Sequence, residues 1–273
     1  MKSLLYFILK RSQVSFLTML LITFCSYFTA AQSPTPVFAR LTMQKVPAGK
    51  EQEYVKFMKE TMKPMHTLRR TKGKIIHWIL FKVHFTGDND AYNYVGVSYY
   101  TSWANTEANE VFAELFKEVN PKADPAAIAA QIQGLRTVVS QALIYRADAV
   151  EPPAPLPFKF VRLDYMKVKP GMNAAYLKTE REDWMPFHKT LVESGQATAW
   201  GLWRQLFPSG SDFPYDYVTS SRYGTYAQVM ETDYAKTFKK ASPSKDLDAI
   251  FDRTTKSRDL VKSELWEVVE MLN

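Results

Sequence analysis

The sequence predicts an α+β fold in which one strand–helix–strand–strand–helix–strand unit is written twice. The two antiparallel sheets are expected to pack together within a single chain. Three observations lead there. The 273 residues are 46% apolar and 23% charged, which is globular composition. The chain repeats itself at a fixed offset of 122 residues, with Lys45-Val46-Pro47-Ala48-Gly49 returning as Lys167-Val168-Lys169-Pro170-Gly171. Each copy is cut by Gly and Pro into the same succession of period-two and helical segments.

The repeat holds across the unit. Tyr54, Glu60, Pro64, His66, Gly73 and Trp78 meet Tyr176, Glu182, Pro186, His188, Gly195 and Trp200. One inserted residue then shifts the frame, so that Tyr92, Tyr94, Ser98 and Tyr100 meet Tyr215, Tyr217, Ser221 and Tyr223. The first offset returns with Phe116, Pro121, Asp124 and Arg136, which meet Phe238, Pro243, Asp246 and Arg258. Residues 32–149 form the first unit and 158–273 the second. The proline-rich 150–157 between them reads as a stiff linker.

Within each unit, residues 38–46 and 160–168 alternate as strands, with Ala39, Leu41 and Met43 on one face and Val161, Leu163 and Tyr165 on its counterpart. Apolar residues at helical spacing predict helices over 50–70 and 173–193, closed by Gly73 and Gly195. Second strands are read at 74–85 and 196–207, and third strands, rich in Tyr and Val, at 92–100 and 215–223. Helices follow at 106–118 and 226–240. Asp124 and Asp246 stand where an N-cap would open a short extra helix. Closing strands are expected at 139–146 and 261–269, the second with a helical alternative. This order is the split βαβ, ferredoxin-like unit, whose sheet leaves one face bare. Two such sheets on one chain can cover each other as an intrachain α+β barrel.

The first thirty-one residues read as a signal peptide. Lys2, Lys10 and Arg11 precede an apolar run that ends Thr29-Ala30-Ala31. Cleavage there leaves a chain without cysteine, since Cys25 is the sole one, and excludes disulfides and thiolate chemistry. It also removes three cations and no acid, lowering the net charge from +7 to +4. Charges of both signs are interleaved, so neither nucleic acid nor, after cleavage, a membrane is an expected partner. The expected location is periplasmic or secreted, with self-association left open.

Three segments carry a family resemblance: Glu182-Asp183-Trp184-Met185-Pro186-Phe187-His188, Trp200-Gly201-Leu202-Trp203 and Phe207-Pro208-Ser209-Gly210. With the repeat and its topology, they make the chain resemble the dimeric α+β barrel superfamily. That group includes antibiotic-biosynthesis monooxygenases, EthD-like and NIPSNAP-like proteins, and haem-handling relatives such as chlorite dismutase. The resemblance implies a fold; no catalytic set of these families carries over residue by residue.

His66 and His188 are the candidate catalytic residues, each two positions after a repeated proline. A histidine there can be a general base, a hydrogen-bond donor to a ligand, an axial ligand, or a packing group at a proline kink. Trp78, Trp200, Tyr94 and Tyr217 are candidate walls for a flat apolar ligand. Arg40 and Arg162, on a central strand, must reach water, a carboxylate or an anionic ligand; Asp164 is placed to pair with Arg162. No metal-ligand set, P-loop, Gly-x-Ser-x-Gly or dinucleotide fingerprint occurs. The expected function is binding of a small apolar or aromatic molecule in clefts between helix and sheet. The alternatives are a cofactor-independent monooxygenase- or isomerase-like enzyme using His as base, and a haem-binding protein. No cofactor is otherwise expected.

Overall fold

The computed structural model describes residues 35–107 and 112–272. The expected signal segment and Cys25 lie outside them. Eight strands close into one barrel in the order β1-β3-β2-β8-β5-β7-β6-β4. They are β1 (Phe38–Lys45), β2 (His77–Val83), β3 (Tyr94–Tyr100), β4 (Thr137–Val150), β5 (Phe160–Val168), β6 (Ala199–Phe207), β7 (Tyr217–Tyr223) and β8 (Arg258–Met271). Every pairing is antiparallel. Each half contributes four consecutive positions in that ring, in ferredoxin-like order.

The halves meet at two edges. The closing strands β4 and β8 are fourteen residues long and serve two neighbours each. β8 pairs with β5 from Arg258 to Glu267 and with β2 from Trp266 to Met271. β4 does the same with β1 and β6. Closure pairs every edge that an isolated four-stranded sheet would expose. The sequence places these strands too short, and its helical alternative for the last is replaced by strand. The missing C-terminal ends pair with the other half, and that pairing leaves no local pattern.

The inner faces fill the barrel. Ala39, Leu41, Met43, Val161, Leu163 and Tyr165 all point inward, as their alternation predicts, and meet Phe81, Trp203 and Trp266. Gly201 lets the Trp203 indole lie flat along the strand, since a Cβ there would stand 2.9 Å from the indole nitrogen. A residual space of about 40 Å³ remains inside.

Helices cover the outer faces. The first is composite in both halves: α1 (Glu51–Phe57), a π turn (Met58–Met62) and α2 (Lys63–Thr71). Pro64 explains the π turn. A proline ring clashes with the carbonyl four residues back, and the wider turn relieves this without breaking the helix. The Met58 carbonyl instead accepts from the Lys63 N–H. The expected kink is therefore a widened turn. Next come α3 (Trp103–Glu107), α4 (Phe112–Val119) and α5 (Pro125–Leu135), the last capped by Asp124.

In the second half the composite helix is α6 (Asn173–Thr179), a π turn (Glu180–Trp184) and α7 (Met185–Glu193). The helix read at 226–240 is two helices, α8 (Tyr226–Met230) and α9 (Tyr234–Ala241). Asp233 divides them by capping α9, accepting from the Lys236 N–H at 3.0 Å. Asp246 caps α10 (Leu247–Ser257) as expected.

Candidate functional site

The two halves share a backbone plan but pack differently beneath their composite helices. In the first half the outer core is one continuous cluster from Phe38 through Met58, Met62 and Trp78 to Leu135. In the second half it is split in two. Phe160, Trp184, Phe187 and Phe238 form one cluster; Met166, Tyr176, Trp200 and Tyr217 form the other. Between them lies a cavity of about 380 Å³, lined by Met166 and Trp184 from either side together with His188, Glu180, Arg162, Asp164 and Arg258.

Three local contacts hold the cavity's roof. The Asp183 carboxylate, 7% exposed, takes Lys245 at 2.7 Å and Arg253 at 3.1 Å. The Trp184 indole donates to the Thr254 hydroxyl at 3.0 Å. The Arg253 and Thr254 contacts tie the π turn to α10, and Lys245 ties it to the turn before that helix. The first residue of that turn, Glu180, is left facing the cavity and is 3% exposed. Burial pushes its carboxyl up to about 7, against the Arg258 guanidinium and the Tyr176 hydroxyl, which favour the charged form. Asp164 and Asp148 push in the same direction as burial.

His188 Nδ1 and Arg258 Nε are shut from solvent without a hydrogen-bond partner, and so is Arg136 Nε, the first-half counterpart of Arg258. The His188 ring stacks on Trp200 with centroids 4.9 Å apart. Burial, then the nearby Arg162 charge, lower its pKa to about 3, so the imidazole is neutral.

The first half closes the equivalent space. Met58 stands where the second half has Glu180, Met62 where it has Trp184, and Ile132 where it has Thr254. His66 stacks on Trp78 at 4.5 Å, but its Nδ1 accepts a hydrogen bond from Arg69 at 3.1 Å. Its pKa also falls well below the ordinary histidine value through burial and the Arg69 charge.

Of the eight residues singled out in the sequence, His188 and Arg162 line this cavity. Arg162 pairs with Asp164 at 3.1 Å, as its position suggests, and approaches the Tyr234 hydroxyl at 3.5 Å. Arg40 instead donates to the Thr106 carbonyl and lies over the Tyr100 ring. Trp78 and Trp200 back the two histidines. Tyr94 and Tyr217 pack edge-on or tilted against Tyr54 and Tyr176, each 5.0 Å away. Tyr217 also donates to Asn173 at 2.9 Å and borders a separate cleft. Sequence reasoning missed Glu180 and passed over Arg258. The available signal was the contrast between Met58 and Glu180 at one repeat position.

No protein-family model and no curated protein matches the chain. Solved structures do. A provisionally assigned monooxygenase from Fusobacterium nucleatum aligns over 88% of this chain and 94% of its own, with TM-score 0.53 and 12% identity. A provisionally assigned chlorite dismutase aligns over 86% and 96%, with TM-score 0.51 and 10% identity. The chain has the fold of the dimeric α+β barrel superfamily. Both halves of that barrel lie here on one polypeptide. A further provisionally assigned monooxygenase, from Lactobacillus acidophilus, aligns over 88% and 96% with TM-score 0.48 and 15% identity.

The haem alternative raised by the sequence can be set against these residues. The cavity lining includes the Asp164 and Glu180 carboxyls, the Arg162 guanidinium and the hydroxyls of Thr219, Ser221, Thr254 and Thr255. A porphyrin would bury these groups against its apolar faces. The His188 ring lies flat on Trp200 with its Nδ1 shut away from solvent. These residues do not suit haem.

Proposed function

We propose that the protein is exported and binds a small molecule in the second-half cavity, and that the first half is a structural counterpart. Export rests on the basic start, apolar run and Thr29-Ala30-Ala31 end of the leader. Binding rests on one observation: Glu180, His188, Arg162 and Arg258 line a cavity that the first half fills with Met58 and Met62. Trp184, Phe251 and Tyr234 give the ligand an aromatic or apolar body, while Arg258 and Arg162 favour an anionic head group.

The test is titration with phenylpyruvate, an aromatic carboxylate, followed by tryptophan fluorescence. Arg258→Met is expected to weaken binding about ten- to a hundredfold, the worth of one charge-assisted contact. Arg136→Met, the first-half counterpart, is expected to leave it unchanged. Equal losses in both variants, or no binding by the parent protein, contradict the reading. Haemin added in the same experiment is expected to keep its free spectrum.

A second reading, an enzyme of the isomerase kind, is favoured by Glu180, a buried carboxyl on a π turn facing this cavity. His188 and His66, held neutral, are poor proton acceptors beside it.

A further inference from the structure

We propose that Glu180 is the proton acceptor of this cavity and that the substrate class is a small enolisable aromatic 2-oxo acid, tautomerised by transfer of one proton. The inference rests on the reading of the cavity as a small-molecule site and goes beyond it to a reaction.

The geometry supplies three parts. Trp184 and Phe251 offer aromatic walls, Arg162 and Arg258 offer guanidinium groups, and Glu180 offers a carboxyl on the same lining. The π turn fixes the carboxyl's backbone, since the Glu180 carbonyl accepts from the Met185 N–H and the adjoining Asp183 and Trp184 are tied to α10.

The step balances without a co-reactant. The Glu180 carboxylate takes a proton from the carbon beside the carbonyl. The C–H electron pair forms the carbon–carbon double bond, and the carbonyl π pair moves to oxygen beside Arg258. Glu180 then returns the proton to that oxygen, giving the enol. In the reverse direction the same carboxyl protonates carbon. A general base near its working pH suits this exchange. The groups that set its ionisation come from every side: Arg258 on β8, Asp164 on β5, Asp148 on β4 and Tyr176 on its own helix. His188 on α7 completes the lining.

The experiment follows hydrogen–deuterium exchange at the benzylic carbon of phenylpyruvate in deuterated buffer by NMR, alongside the fluorescence titration. The full mature protein is expected to accelerate exchange over buffer. The acceleration should rise with pH and level off as Glu180 ionises near about 7. Glu180→Gln is expected to lower it about a hundredfold or more while retaining binding. Glu180→Met, which installs the first half's own residue, should behave alike and guards against a folding artefact of one substitution. Binding without exchange, or exchange undiminished in both variants, overturns the base role and leaves the binding site standing. Absence of binding overturns both readings.

Discussion

Glu264→Ala is expected to lower the unfolding free energy by about 1–3 kcal/mol, the cost of leaving part-buried hydrogen-bond donors without their acceptor. Glu264 lies on β8 two residues before Trp266, so both point into the barrel. Its carboxylate accepts from the Tyr92 hydroxyl at 2.6 Å, the Tyr165 hydroxyl at 2.8 Å, the Trp266 indole at 3.0 Å and the Lys262 ammonium at 2.7 Å. Those donors come from both halves, so one side chain pins the seam that closes the barrel. Burial alone would raise its pKa, but hydrogen bonds from Lys262, Tyr92 and Tyr165 hold it below the ordinary value. The stabilisation is therefore present above the unfolded-state carboxylate range and lost as pH falls through the folded value. Urea unfolding near neutral pH measures the loss. A change under about 1 kcal/mol would show that the donors find water as readily as the carboxylate.

Glu180→Gln is expected to act oppositely, stabilising the protein at high pH. The parent carboxyl ionises at about 7 when folded and near 4.5 by default. A raised carboxyl favours the folded state below the unfolded value, and that advantage disappears as pH rises through the folded one. The gap of about 2.5 units corresponds to about 3 kcal/mol at 1.36 kcal/mol per unit. The difference in stability between Glu180→Gln and the parent should therefore shift towards the variant by about this amount between pH 4 and pH 8. A pH-independent difference would mean that Glu180 titrates normally.

The contrast between these two carboxylates explains what the sequence made legible. Strands β1 and β5 are read in full because each alternates cleanly between a barrel interior and a helix-covered face. The closing strands are read short because Thr137–Gln141 and Asp259–Ser263 are exposed and carry no alternation, while their far ends pair with the opposite half. Asp233 cuts one expected helix in two by capping, a competition that helical periodicity does not register.

The site was legible only in part, for a related reason. Matching the repeats selects what the halves share, and so selects His66 with His188 and Trp78 with Trp200. Those pairs stack alike in both halves and belong to the common scaffold. The cavity arises where the halves differ: Met58 against Glu180, Ile132 against Thr254, Thr42 against Asp164. A duplicated chain keeps its packing rules in its identities and its chemistry in its departures from them.

The most direct check is a crystal structure of the mature protein grown with phenylpyruvate. The predicted result is ligand density bounded by Glu180, His188 and Arg258, with the space beside His66 still closed by Met58 and Met62. Density beside His66 instead, or within the barrel, would contradict it.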